Sequence, residues 1–142
     1  MLMTRAAITD ITTRQMAKIT TIATRYSILR RQFKNKDNQE IPILDYQTQQ
    51  AKVISRIGEV YAFLFTSKNI IELSKEVYEQ AKKLNFDRLN EAHVLTSASK
   101  AYMTWEANNK AEVARRSAGG HGFHMYNGMI GTQLELSPAL TY

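Results

Sequence analysis

The sequence predicts an all-α fold: three long antiparallel helices of an incomplete four-helix bundle, followed by an irregular C-terminal tail. Three observations carry this. Apolar residues recur three and four apart over long stretches, the stripe that one face of a 3.6-residue helix presents. Two polar breaks separate those stretches, Lys34 to Gln39 (closed by Pro42) and Asn85 to Asn90. A glycine cluster at 119, 120 and 122 ends the last stretch, because glycine accepts the left-handed backbone of a helix C-terminus.

The first helix is expected over about 4–33, with Ile8, Ile11, Ile19, Ile22, Tyr26, Leu29 and Phe33 on its apolar face. The second is expected over about 45–83. Asp45 supplies a carboxylate suited to cap free backbone N–H groups. Its apolar face takes in Ile54, Ile57, Tyr61, Leu64 and Phe65, and a bend is expected near Thr66-Ser67. The third helix, about 91–118, carries Val94, Leu95, Ala98, Tyr102, Trp105, Ala107 and Val113. Tyr61, Tyr102 and Trp105 sit at helical spacing among aliphatics and read as core rather than as a stacking platform for bases. The tail, 119–142, has little period and reads as a loop that is ordered only where something docks on it. Amphipathic helices of this length pack as a bundle, and three of them leave an apolar groove uncovered.

The 142 residues suffice for one domain with a modest core, here 1–142. There is no apolar run of about 18 residues, so no membrane-spanning helix is expected, and the first residues lack a secretory signal. The absence of cysteine excludes disulfides, thiolate catalysis and thiolate metal sites. Lys and Arg number 19 against 13 Asp and Glu, a surplus that favours anionic partners. These charges are spread over several helices instead of forming one basic stripe, which argues against a nucleic-acid module. Neither nucleic acid nor membrane is expected as a partner.

Arg30 and Arg31 lie near the expected end of the first helix. Guanidinium groups there suit bidentate phosphate binding, and equally suit a solvated helix C-terminus. Gly119, Gly120 and Gly122 allow close backbone approach to a ligand, or simply stop the helix. They follow a helix rather than open one, so this is not the phosphate-binding arrangement of a dinucleotide fold or P-loop. His121 and His124 have no cysteine or acidic cluster beside them, and no metal site is expected. Glu135 is the one carboxylate of the tail. It has no evident partner, and no catalytic residue is assigned.

Several ordered motifs together resemble one family. They are Arg25-Tyr26-Ser27 with Arg30-Arg31-Gln32-Phe33, then Leu44-Asp45-Tyr46-Gln47-Thr48-Gln49-Gln50, Glu91-Ala92-His93, Gly119-Gly120-His121-Gly122-Phe123, and Ser137-Pro138 with Thr141-Tyr142. In order and spacing the chain is similar to the first helical domain of the acyl-CoA oxidases. The resemblance implies a peroxisomal, FAD-dependent flavoenzyme of fatty-acid β-oxidation, acting as a homodimer on fatty acyl-CoA. It implies that Arg30 and Phe33 help hold the FAD of the neighbouring subunit, with Arg30 at the pyrophosphate. Gln47 matches a contact to the adenosine end, and Gly119, Gly120 and Gly122 match the loop along which the nucleotide portion runs. Related dehydrogenases often carry glutamine where Arg116 stands, so that contact is not carried over. The family's catalytic glutamate directly follows the pair matched by Thr141-Tyr142. The stretch is therefore expected to be a fragment that contributes cofactor-binding and interface residues without oxidase activity of its own. The alternative is a non-catalytic helical subunit of a larger assembly.

Overall fold

The computed structural model describes residues 1–141; Tyr142, of the Thr141-Tyr142 pair, lies outside the described residues. Three long helices dominate: α1 (Leu2–Leu29), α2 (Gln47–Lys82) and α3 (Leu89–Ser117). Between α1 and α2 the chain forms an antiparallel hairpin of β1 (Arg31–Lys34) and β2 (Glu40–Pro42), pairing Arg31 with Pro42 and Lys34 with Glu40. A fourth helix, α4 (Met129–Leu136), follows α3 after two short 3-10 turns. α1 packs against both α2 and α3, and α4 lies against α1 and α3.

The first expected helix ran to Phe33, but α1 stops at Leu29. Arg30 adopts an extended backbone (φ −72°, ψ 123°), and its N–H closes the helix on the Tyr26 carbonyl at 2.8 Å. The chain then gains a different set of partners. Asn35 uses its Oδ1 to accept the N–H groups of Asp37 and Gln39 at 2.9 and 3.0 Å. That side-chain turn brings Glu40 back beside Lys34, and the hairpin replaces the last helical turn. α2 opens at Gln47 with no side-chain cap, and Asp45 lies in the preceding 3-10 turn, so the expected aspartate cap does not form. α2 runs unbroken through Thr66 and Ser67, whose hydroxyls donate to the Ala62 and Leu64 carbonyls.

The buried faces are not the aliphatic ones. α1 buries Ala6, Thr9, Thr12, Thr13, Met16, Ile19, Thr20, Ala23 and Ser27, a clean helical repeat made mostly of small and hydroxyl residues. Ile11, Leu29 and Phe33 are exposed, and Ile8, Ile22 and Tyr26 are only half-buried. Three of these buried hydroxyls, those of Thr9, Thr13 and Ser27, find a carbonyl within the helix. Thr9 donates to Ala6 at 2.7 Å, Thr13 to Thr9 at 2.8 Å, and Ser27 to Ala23 at 2.7 Å. What remains is a short, methyl-bearing surface on which α3 can lie closely through Ala92, Thr96, Ala107, Ala111 and Ala114. Met16, Ile19, Phe63, Met103, Met129 and Leu136 fill the remaining volume.

The aromatic residues expected in the core face outward instead: Tyr61 is 57 % exposed, Tyr102 64 % and Trp105 61 %. With Ile54, Ile57 and Phe65 they make the uncovered apolar surface that a three-helix arrangement was expected to leave. Part of it is a groove of about 310 Å³ between α1 and α2, lined by Thr20, Thr24, Ile57, Val60 and Tyr61. Between α2 and α3, Glu59 accepts from Lys110 at 2.8 Å and from Arg56 at 2.8 Å. The Glu59 carboxylate raises the pKa of Lys110, keeping that cation charged.

α4 shows that the tail is more regular than its sequence suggests. Its start is held by Asn127 Oδ1, which accepts the Met129 N–H at 2.6 Å, after Gly128 turns left-handed at φ +74°. Met129, Thr132 and Leu136 then fall on one face and enter the core. That three- and four-residue spacing was present in the sequence but covers only two turns, too few for periodicity to distinguish from a loop.

One buried polar atom has no partner among the described residues, the hydroxyl of Ser74 on α2. Ser74→Ala removes an unsatisfied group and improves helix propensity. The variant is expected to be about 1 kcal/mol more stable, read as a melting temperature higher by about 3 °C in thermal circular dichroism.

Candidate functional site

Where α1 gives way to the hairpin, two adjacent arginines separate in role. Arg31 Nη1 donates to the Glu40 carbonyl at 3.2 Å and so belongs to the hairpin. The Arg30 guanidinium has no hydrogen bond or ion pair among the described residues and is exposed. Phe33 adopts φ +62°, a left-handed conformation that costs a bulky residue energy, and its ring is 69 % exposed. Tyr46 holds it there. Its ring meets Phe33 edge-on at 6.3 Å, and its hydroxyl donates to the Gln32 carbonyl at 3.1 Å.

The glycine turn faces this corner. α3 ends at Ser117, and Gly119 takes φ +57°, with nothing within 4 Å of the space a Cβ would fill. Residues 119–123 then form a 3-10 turn instead of an open loop. Gly122 is required for a different reason: a methyl there would overlap the Arg115 carbonyl oxygen and lie 3.1 Å from its carbon. His121 stacks obliquely on Tyr26 with ring centroids 5.2 Å apart, tying the turn to α1. Asn127 donates its side-chain amide to the His121 carbonyl, closing the turn from the other side.

These pieces enclose a cleft of about 370 Å³ lined by Tyr26, Arg30, Gln32, Phe33, Ile43, Tyr46, Thr48, Gln49, Ser117, Ala118 and Gly119. Of the residues singled out by sequence, Arg30, Phe33 and Gly119 line it. Gln47 and Gly120 do not, though both are exposed, and Gly122 is buried beneath the turn. The sequence motifs do not single out Gln49 as a site residue. Its Nε2 donates at 2.9 Å to Ser27 Oγ of α1 and at 2.9 Å to the Ser117 carbonyl at the end of α3, so it joins three helices beneath the cleft. Helical spacing contained the signal. Gln49 lies four residues before the buried Val53, whereas Gln47, two residues earlier, points about 200° away around the helix.

A charged clamp holds the turn to the rest of the fold. The Glu112 carboxylate accepts from Arg115 at 2.7 and 2.8 Å, from Arg116 at 2.6 Å and from Gln133 of α4 at 3.1 Å. Arg115 Nη1 also donates to the Gly122 carbonyl at 3.2 Å. The hydrogen bond from Arg115 is the main reason the Glu112 pKa falls to about 2, with Gln133 and Arg116 adding to it against the cost of burial. Glu135 is engaged elsewhere and accepts from Gln15 Nε2 of α1 at 2.5 Å. No group of three His, Cys, Asp or Glu side chains suited to a metal occurs among the described residues.

A family model for the acyl-CoA oxidase C-alpha1 domain matches residues 1–142. The chain is 35 % identical over 143 residues to the mouse peroxisomal acyl-coenzyme A oxidase 1, covering all of this chain and 22 % of that protein. It spans about a fifth of the length of the curated relatives it matches. Among solved structures, Arabidopsis thaliana acyl-CoA oxidase 1 superposes with a TM-score of 0.94 at 31 % identity, over 99 % of this chain and 22 % of that one. Acyl-CoA oxidase-1 of Caenorhabditis elegans, solved in complex with FAD and ATP, gives a TM-score of 0.89 at 32 % identity, over 97 % of this chain and 21 % of that one. The chain belongs to the acyl-CoA oxidase C-alpha1 domain family.

Proposed function

We propose that the chain serves as the first C-terminal helical portion of a peroxisomal, FAD-dependent acyl-CoA oxidase of fatty-acid β-oxidation. The reaction converts fatty acyl-CoA and O2 to a trans-2-enoyl-CoA and hydrogen peroxide. FAD, when bound, takes the hydride from the acyl chain. The part of this chain is to bind and orient the cofactor across a homodimer interface. The observation that carries this reading is the unpaired Arg30 guanidinium, set with the strained Phe33 and the open Gly119 backbone around one cleft. A guanidinium without a protein partner suits a pyrophosphate, to which it can donate two parallel hydrogen bonds. Phe33 supplies an apolar edge, and Gly119 lets the backbone approach the ligand with no side chain between. Gln47 and Gly120 stand outside the cleft and are assigned to the cofactor by family resemblance alone, while Gly122 shapes the turn from within.

The proposal is tested by titrating FAD into the purified protein and following flavin fluorescence. Arg30→Ala is expected to weaken binding about tenfold or more, the worth of a charge-assisted hydrogen bond. Because Arg30 is exposed and supports nothing else, the melting temperature should not move. Unchanged FAD affinity would remove Arg30 from the pyrophosphate.

A further inference from the structure

We infer that Gln49 is the residue of this cleft that recognises a hydrogen-bond donor on the ligand, its side-chain carbonyl accepting from the nucleotide end of FAD. The inference rests on the cofactor reading above and adds to it a residue and a direction of hydrogen bonding.

The neighbours of Gln49 fix which end of its amide faces inward. Ser27 has one hydroxyl proton, and it is spent on the Ala23 carbonyl at 2.7 Å. Towards Gln49 that oxygen can only accept. The Ser117 carbonyl can only accept as well. Both lie 2.9 Å from the Gln49 amide nitrogen, so the two N–H groups are committed to them. Turning the amide over would lose both bonds and set its oxygen against two acceptors. The orientation is therefore dictated by chemistry.

That leaves Gln49 Oε1 as an acceptor with no partner among the described residues, on a side chain that lines the cleft. Of the other polar groups that line the cleft, the Tyr46 hydroxyl donates to the Gln32 backbone carbonyl. The Gln32 and Thr48 side chains are exposed and make no hydrogen bond among the described residues. Gln49 differs from them in being held in one direction by two bonds. Arg30 accordingly offers positive charge to one part of a ligand, and Gln49 offers a lone pair to another. A phosphate oxygen is attracted by the first and repelled by the second. A ligand satisfying both carries an anion and a neutral N–H or O–H donor, as the adenosine diphosphate portion of FAD does, in its pyrophosphate and in its exocyclic amine and ribose hydroxyls. The double tether to Ser27 and Ser117 means that little side-chain freedom is lost when the acceptor is used. A site built around such an acceptor discriminates against analogues lacking the donor, because its lone pair is then left unpaired.

The test uses wild type, Gln49→Met and Ser27→Ala, each titrated with FAD and two analogues. One analogue has hydrogen in place of the adenine amine, and the other lacks both adenosine ribose hydroxyls. Wild type should bind one analogue about tenfold more weakly than FAD, and the analogue affected names the donor. Gln49→Met should bind FAD and that analogue equally. Ser27→Ala removes an inner partner but keeps Oε1, so it should lower the melting temperature and preserve the discrimination. If Gln49→Met does not fold, the carbonyl carbon resonance of the Gln49 side chain in wild type decides. It should shift with FAD and stay in place with the discriminated analogue, and an unmoved resonance overturns the inference. FAD binding without discrimination by wild type, or discrimination that survives in Gln49→Met, overturns the inference and leaves the cofactor reading standing. No FAD binding by wild type overturns both.

Discussion

Gly122→Ala is expected to destabilise the fold by about 3 kcal/mol, the upper range for forcing an extra methyl into a packed site. A Cβ at this position would occupy the space of the Arg115 carbonyl oxygen, with the carbonyl carbon at 3.1 Å and Arg115 Cγ at 3.4 Å. The nearest obstacles are backbone atoms of α3, which cannot rotate away as a flexible side chain could. Relief requires the 3-10 turn to lift from the end of α3. Lifting it also costs the Arg115 bond to the Gly122 carbonyl and the contact of His121 with Tyr26. Thermal circular dichroism should record a melting temperature lower by roughly 10 °C. Gly120→Ala is the control. Nothing lies within 4 Å of its added methyl, and it should melt close to wild type. Equal melting of the two variants would mean that the turn does not pack on α3 as described.

The second large effect is expected at Glu112. Its pKa is lowered from 4.5 to about 2 because Arg115, Gln133 and Arg116 bind the ionised form. A depressed carboxylate pKa stabilises the fold in full above the unfolded value, near 4.5, and that contribution fades as pH falls towards 2. A shift of this size is worth about 3 kcal/mol at most. Since 27 % of the side chain remains in water, solvent screening leaves about 1–2 kcal/mol. Glu112→Gln should lose stability of that order at pH 7 and show a flatter acid limb between pH 4.5 and 2. Urea unfolding followed across that window measures both. An unchanged acid limb in the variant would mean that another carboxylate carries the acid sensitivity. Because the carboxylate joins α3 to α4 through Gln133, the loss should also appear as faster amide exchange in α4.

Much of the fold was legible in the chain. The three helices lie within a few residues of their expected bounds, and the left-handed Gly119 follows α3 as a glycine stop should. The face each helix buries was not legible, because hydrophobicity does not mark burial where small and hydroxyl residues line the core. Here Thr9, Thr13 and Ser27 satisfy their hydroxyls within the helix and pack as small residues, so most of the buried face of α1 is Ala, Thr and Ser around Met16 and Ile19. The large apolar groups, Ile54, Tyr61, Phe65, Tyr102 and Trp105, are left on the surface. The site divided in the same way. Arg30, Phe33 and Gly119 were marked by their motifs and do share one cleft, whereas Gln49 was hidden behind its neighbour Gln47.

The sequence by itself determined the three long helices, the breaks between them and the family, since periodicity, polar turns and ordered motifs are properties of neighbours along the chain. Tertiary structure alone decided three other things. It made the end of the first helix a hairpin, because the strand partners of Arg31 and Lys34, Pro42 and Glu40, outcompete one more helical turn. It made Gly122 indispensable and Gly120 permissive, because only one of them lies against the backbone of α3. And it set the direction of the Gln49 amide, because that depends on where Ser27 and Ser117, 22 and 68 residues distant, are brought by helix packing. Each of these turns on atoms far apart in sequence competing for the same space or the same hydrogen bond.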